Sequence, residues 1–201
     1  MTTQSLPIIE AERLRLRAVE ESDLDQLFAI FSDPKVMRYW SRPPLKTMSE
    51  ALELLQEIQD SNQKGAMLKW GVGLKPADKL IGTVTLFNVD LTQGRAELGY
   101  AQAQEYWGNG YNHEALQALL AYVFEEMKLR RLEADVDPRN TASIKTVERL
   151  GFQREGYLRE RWHVSGEIQD ALFFGLLKRE WIRPGNCAQV RKPFTPESNT
   201  Q

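Results

Sequence analysis

The 201-residue sequence predicts an α/β domain folded around a single sheet. Three observations carry that expectation. Arg13-Leu14-Arg15-Leu16-Arg17-Ala18-Val19 alternates basic and apolar residues, the period of a half-buried strand. Three strand-like segments follow one another between Trp70 and Ala101. Beyond them helices and strands alternate, and the strongest helix carries Leu116, Leu119, Leu120, Val123 and Met127 on one face.

After the N-terminal strand, Ser22 with Asp25 resembles a capping box, and Leu24, Leu27, Phe28 and Phe31 follow at helical spacing. Asp33-Pro34 stops that helix, because proline disfavours helix at the residue before it. A second capping box, Thr47 with Glu50, opens a helix bearing Ala51, Leu54, Leu55 and Ile58 that fades by Gly65. Trp70, Val72 and Leu74 form a strand, Pro76-Ala77-Asp78 a turn, and Leu80 to Val89 a β-branched, apolar strand. Ala96 to Ala101 follows a turn at Thr92-Gln93-Gly94. Leu132 to Val136 reads as a strand, and a short helix around Ile144, Val147 and Leu150 ends at Gly151, suited to a C′ position. Residues Phe152 to Val164 and Ile168 to Leu177 close the domain as a hairpin turning at Ser165-Gly166. The order is β-α-α-β-β-β-α-β-α-β-β, one domain over residues 8–182. The aperiodic, Pro-, Asn-, Thr- and Gln-containing residues 183–201 are expected to form a mobile tail.

Composition narrows the function classes. A chain 42% hydrophobic and 27% charged is ordinary for a globular protein, and at this size roughly 70% of the surface is buried without a disulfide or metal staple. The longest apolar run, Ala171 to Leu177, falls far short of the ~20 residues of a membrane span. Met1 to Pro7 has neither a basic nor an apolar signal-peptide region. A single cysteine, Cys187, permits no intrachain disulfide, and a cytoplasmic setting is expected. The net charge of −2 argues against a nucleic-acid or anionic-membrane partner.

Chemistry concentrates in two segments. In Glu97-Leu98-Gly99-Tyr100-Ala101-Gln102 a strand runs into Trp107-Gly108-Asn109-Gly110-Tyr111-Asn112, a two-glycine loop opening straight into a helix. Glycines let backbone approach a ligand, and the helix start offers unpaired N–H groups with a positive dipole end, so a diphosphate is the natural guest. An ordinary Gly-containing turn has the same look. The loop lacks the third glycine of a dinucleotide fingerprint, and no GxxxxGK[ST] occurs. In the second segment, Asn140 or Thr141 is suited to cap the short helix. Asn140 and Ser143 also point the same way from that start, offering an amide and a hydroxyl.

Together, Trp107-Gly108-Asn109-Gly110-Tyr111-x-x-Glu114-Ala115, Asn140-x-x-Ser143-Ile144 and Leu150-Gly151-Phe152 resemble the GCN5-related N-acetyltransferases (GNAT). Arg13-Leu14-Arg15-Leu16-Arg17, Asp33-Pro34-x-Val36-x-Arg38-Tyr39-Trp40 and Gly166-x-x-x-Asp170 are similar to their RimJ/RimL-type branch of ribosomal-protein N-terminal acetyltransferases. The resemblance implies a single central mixed, largely antiparallel sheet with splayed central strands and helices on both faces. It implies acetyl-CoA as co-substrate; no metal is expected, because neither histidine has a second ligand at suitable spacing. The family's diphosphate loop falls on Trp107, Gly108, Asn109, Gly110, Tyr111 and Asn112, with Trp107 in place of Gln/Arg and Asn112 in place of a small residue. Tyr100, Ala101 and Gln102 would pair their backbone with the pantetheine arm. Asn140 would bond the same arm, and Ser143 would lie near the thioester sulfur.

Acetylation of an amine needs a proton acceptor, donors to the carbonyl oxygen and help for the departing thiolate. A backbone N–H near Ala101 or Gln102 would serve the oxygen, and Ser143 the sulfur. Glu97, on the central strand, and Glu160, on the penultimate strand, are the candidate bases, each with an ion-pair or solvated role as the alternative. His113 and His163 are the only histidines and have no companion at ligand spacing. The arginines around Arg13 and from Arg159 to Arg161 read as solvated faces, some able to steer an acidic cofactor. Tyr39, Trp40 and Tyr106 suit either an acceptor pocket or core packing. With Cys187 in the expected tail, direct transfer is favoured over an acetyl-cysteine route. The expected acceptor is a protein N-terminal α-amino group; a polyamine, amino acid or antibiotic is the alternative, and a non-catalytic acyl-CoA-binding module the third. A monomer or homodimer is expected.

Overall fold

The computed structural model describes residues 6–65, 67–182 and 189–190. Nine strands form one sheet: β1 (Ile9–Glu10), β2 (Leu14–Arg17), β3 (Leu68–Leu74), β4 (Lys79–Asp90), β5 (Arg95–Gln102), β6 (Arg131–Val136), β7 (Gln153–Val164), β8 (Glu167–Leu177) and β9 (Gln189–Val190). Their spatial order is β7-β8-β6-β5-β4-β3-β2-β1-β9. Every neighbouring pair is antiparallel except β5 with β6. Among the described residues, four α-helices, α1 (Leu24–Ser32), α2 (Met48–Lys64), α3 (Tyr111–Ala121) and α4 (Thr141–Arg149), cover the two faces.

Alternation decides which face receives which helix. On β6, Leu132, Ala134 and Val136 are buried with Leu116, Leu119 and Val147 of α3 and α4. Arg131, Glu133 and Asp135 point the other way, to the face that α1 and α2 cover further along the sheet. There Leu27, Ile30 and Phe31 pack with Leu54, Leu55, Ile58, Leu80 and Ala101. No helix among the described residues is long and apolar enough to cross a membrane.

Local signals govern most boundaries. The Thr47 side chain accepts from Glu50 N–H, and α2 ends at Gly65 with φ 72°, a left-handed cap that glycine adopts without a Cβ penalty. Other boundaries differ from the sequence expectation. The turn before α1 is closed by Glu20 and Asp23, not Ser22 and Asp25: Glu20 N–H donates to Asp23 Oδ2 at 2.9 Å. Arg17 decides this by gripping the same carboxylate through two nitrogens, at 2.6 and 2.9 Å. The helix containing Met127 passes from α3 into a π-turn at Tyr122–Glu126. Strand β1 is too short to leave a periodic signal; Trp70 Nε1 anchors its approach by donating to Pro7 O at 2.9 Å. Within the stretch expected to be a tail, Gln189–Val190 pair with β1, satisfying backbone groups that an edge strand leaves open. Residues 183–188 and 191–201, including Cys187, lie outside the described residues.

Candidate active site

Strands β5 and β6 pair only at Arg95↔Arg131, Ala96↔Leu132 and Glu97↔Glu133. From there β5 runs on to Gln102 against β4 alone, and β6 runs to Val136 against β8. The two central strands therefore splay, opening a cleft in the sheet. Ala103 N–H bonds Ile81 O on the β4 side at 2.9 Å. Backbone groups alternate sides along a strand, so Gly99 and Ala101 also face β4, while Leu98, Tyr100 and Gln102 face the opening. That corrects the expectation for Ala101, whose N–H is committed to the sheet. Gln102 is partly engaged as well. Its carbonyl accepts from Trp107 Nε1 at 2.8 Å, and its side-chain amide donates to Tyr106 O at 2.6 Å. Leu98 N–H closes the last β5–β6 bridge, at Glu97↔Glu133, so the Leu98 carbonyl and the main-chain groups of Tyr100 are the ones left toward the cleft.

At the end of β5 the loop is shaped by left-handed backbone at Gly108 (φ 77°) and Gly110 (φ 78°). Asn109 Nδ2 donates to the carbonyls of Tyr106 (3.2 Å) and Trp107 (3.1 Å). The first intrahelical bond of α3 runs from Glu114 N–H to Gly110 O at 3.1 Å, so the N–H groups of Tyr111, Asn112 and His113 precede it. A Cβ at Gly108 would meet nothing within 4 Å. Open space, bare backbone and a positive helix end fit a diphosphate. His113, in the same turn, has a buried Nδ1 without a hydrogen-bond partner among the described residues and a pKa lowered by burial and by Arg149.

The loop is also held from outside, which the sequence did not reveal. Arg13 N–H and Nε donate to the two carboxylate oxygens of Glu114, both at 2.7 Å. Arg13 Nη1 donates to Asn109 O at 3.1 Å, and the guanidinium lies over the Tyr111 ring at 4.6 Å. A separation of 101 residues hides such a contact from any local pattern.

Across the opening, Asn140 caps α4 by accepting from Ser143 N–H at 3.1 Å through Oδ1. Ser143 Oγ and Tyr100 Oη are hydrogen-bonded at 2.9 Å. Burial pushes the Tyr100 phenol up, with the Ser143 and Thr146 hydroxyls opposing.

On the other face of the sheet, Glu97 Oε2 accepts from Asn88 Nδ2 at 3.1 Å. Burial, then Asp135, raises its pKa; the Asn88 bond and Arg161 work against them. Asp135 accepts from Arg161 Nε (3.0 Å) and Trp162 Nε1 (3.2 Å), which reach it from a bulge in β7. Glu160 sits on that bulge, exposed, at φ 53°, with its N–H donating to Asp170 Oδ1 at 2.8 Å. Of the two candidate bases, Glu97 lies where the strands part and Glu160 on the edge strand. Trp40 packs edge-on to Phe31 and Tyr106 to Tyr111. Tyr39 lies near the guanidinium groups of Arg38 (5.1 Å) and Arg139 (5.9 Å). Among the described residues, no group of three or more His, Cys, Asp or Glu side chains is placed to hold a metal ion.

Splayed strands, a bare-backbone loop at a helix start and a hydroxyl pair across the gap make up the candidate site. The family model for the acetyltransferase (GNAT) domain matches residues 13–153, and the chain belongs to that family. It is 40% identical over 170 residues to the uncharacterized N-acetyltransferase p20 of Bacillus licheniformis, covering 85% of this chain and 96% of p20. A GNAT-family acetyltransferase from Bacillus anthracis superposes with TM-score 0.77 at 29% identity, covering 86% and 99%. Spermidine N-acetyltransferase from Vibrio cholerae, solved with CoA and spermine, gives TM-score 0.74 at 26% identity, covering 84% and 97%. The protein is thus a GNAT N-acetyltransferase, an acyltransferase whose family uses acetyl-CoA.

Proposed function

We propose that the protein transfers acetyl directly from acetyl-CoA to a primary amine in a ternary complex, the acceptor being the α-amino group of a protein N-terminus as in the RimJ/RimL-type branch. Bound in the opening, acetyl-CoA supplies an acetyl group activated as a thioester. The loop from Trp107 to Asn112 holds the diphosphate through backbone N–H groups, with Gly110 keeping the approach clear. The Leu98 carbonyl and the main-chain groups of Tyr100 pair with the extended arm, and the Asn140 amide adds a donor beside it. Ser143, linked to Tyr100, donates to the departing sulfur. Glu97 takes the ammonium proton, directly or through water; an α-amino group with pKa ~8 needs only mild help.

The charge pattern around the opening carries the choice of acceptor. A polyamine is held by several uncompensated carboxylates. Here Glu133, Asp135, Asp137 and Glu167 are each paired with an arginine within 3.4 Å. On β5 to β8, Glu97, Glu160 and Asp170 have no arginine at ion-pair distance among the described residues, and Asp170 is engaged by Tyr157 Oη and Glu160 N–H. One amine suits this balance better than a polycation.

The likeness to a spermidine acetyltransferase makes polyamine acetylation the competing reading. Thiol release from acetyl-CoA, followed with short peptides bearing free N-termini and with spermidine, decides between them. Peptide turnover with little spermidine turnover is expected. The reverse ranking would replace the acceptor, and release with neither, despite cofactor binding, would point to a binding module.

A further inference from the structure

Glu114 presents an electrostatic problem at the proposed diphosphate seat. Its carboxylate stands in the first turn of α3, where the helix start would otherwise attract an anion, and its side chain is only 17% exposed. A negative charge there opposes a second one. Arg13 answers it. One guanidinium nitrogen and the Arg13 backbone N–H occupy both Glu114 oxygens, and another nitrogen holds Asn109 O within the loop. The remaining nitrogen, Nη2, lies 3.6 Å from where a Cβ on Gly110 would stand. Stacking over Tyr111 fixes the group in place.

We infer that Arg13 is a positioning residue for the cofactor loop, cancelling the Glu114 charge and bracing Asn109 so that the α3 start accepts the diphosphate. The inference rests on the loop reading given under Proposed function. Its physical content is the order of effects. Loss of the guanidinium leaves Glu114 in place, still bonded to the Arg13 backbone N–H but uncompensated.

Calorimetric titration with acetyl-CoA, and with acetyl-pantetheine, which lacks the diphosphate, tests this without relying on turnover. Arg13→Ala is expected to weaken acetyl-CoA binding about tenfold, the scale of one uncompensated charge at short range in a partly wet site. Acetyl-pantetheine binding stays unchanged. Adding Glu114→Gln to Arg13→Ala brings affinity back to within about threefold of wild type, the residue being the lost Asn109 brace. Glu114→Gln alone binds as tightly as wild type or more tightly. A double variant no better than Arg13→Ala, or an Arg13→Ala variant with wild-type affinity, overturns the inference. If Arg13→Ala does not fold by circular dichroism, Arg13→Gln is titrated with the same outcomes. Gly110→Glu separates the two levels: it should abolish acetyl-CoA binding. Unchanged affinity in that variant overturns the loop reading itself, whereas loss of binding there with no Arg13 effect overturns only this inference.

Discussion

Tyr100 Oη and Ser143 Oγ lie 2.9 Å apart, one from the splayed end of β5 and the other from the first turn of α4. The bond spans the opening between β5 and β6, so the Ser143 hydroxyl is oriented by a residue of the opposite wall. Either hydroxyl can be the donor; with the phenol donating, the Ser143 proton is left for another acceptor.

Ser143→Ala should therefore lower kcat about 10- to 100-fold, the lower range for a positioned proton donor, with acetyl-CoA affinity nearly unchanged. Tyr100→Phe should lower kcat less, because Ser143 keeps its proton and loses only its orientation. Asn140→Ala should weaken acetyl-CoA binding first and lower the melting temperature through the lost cap, worth about 1 kcal/mol. A lower melting temperature with unchanged kcat in Ser143→Ala would remove Ser143 from the chemistry.

Glu97 should set an acid limb in the pH profile of kcat/KM. Its pKa is raised by burial and by Asp135, so the limb lies above the ordinary glutamate range, and Glu97→Gln removes it along with most activity. The stability sign is opposite. A carboxyl with a raised folded pKa favours folding at low pH, and that contribution is lost as pH climbs from the unfolded value through the folded one. Glu97→Gln should melt higher than wild type at pH 7 and equal to it near pH 4. An unchanged pH–rate profile would take the base role from Glu97.

Lys69 offers a stability test away from the chemistry. The residue is 4% exposed on β3, with its Nζ 5.2 Å from the Phe31 ring centre. Burial, with Arg42 adding to it, pulls its pKa from 10.5 down to about 8. A base with a depressed folded pKa costs stability below that value, and the cost fades as pH rises toward the unfolded one. Lys69→Met should gain on the order of 2–3 kcal/mol at pH 6, the gain shrinking between about pH 8 and pH 10.5. Chemical denaturation at several pH values reads this directly, and a gain independent of pH would assign it to packing.

Cys187→Ala should leave turnover intact, and product-inhibition patterns should fit a ternary complex. Loss of activity on that substitution would restore an acetyl-cysteine route.

What the sequence determined by itself is what short-range sterics and local hydrogen bonding govern. Gly110 precedes a helix and takes a left-handed φ because nearby backbone geometry demands it, whatever lies elsewhere in the chain. Thr47, Asn140 and Gly151 mark helix ends for the same reason, and the period-two and 3.6-residue patterns separate strands from helices. The motif spacing around Gly110, Asn140 and Ser143 is itself a feature of the linear sequence and marks the family. Tertiary structure decided the contacts between residues remote in sequence. Ala101 and Tyr100 cannot be told apart locally; pairing with β4 turns one backbone to the sheet and leaves the other at the cleft. Arg17 chose Asp23 over Asp25 as the closing residue before α1, because β2 delivers its guanidinium there. The Tyr100–Ser143, Asp135–Arg161 and Arg13–Glu114 contacts join residues 43, 26 and 101 positions apart. Each depends on strand register and splay, quantities set by packing across the whole sheet and encoded in no single segment.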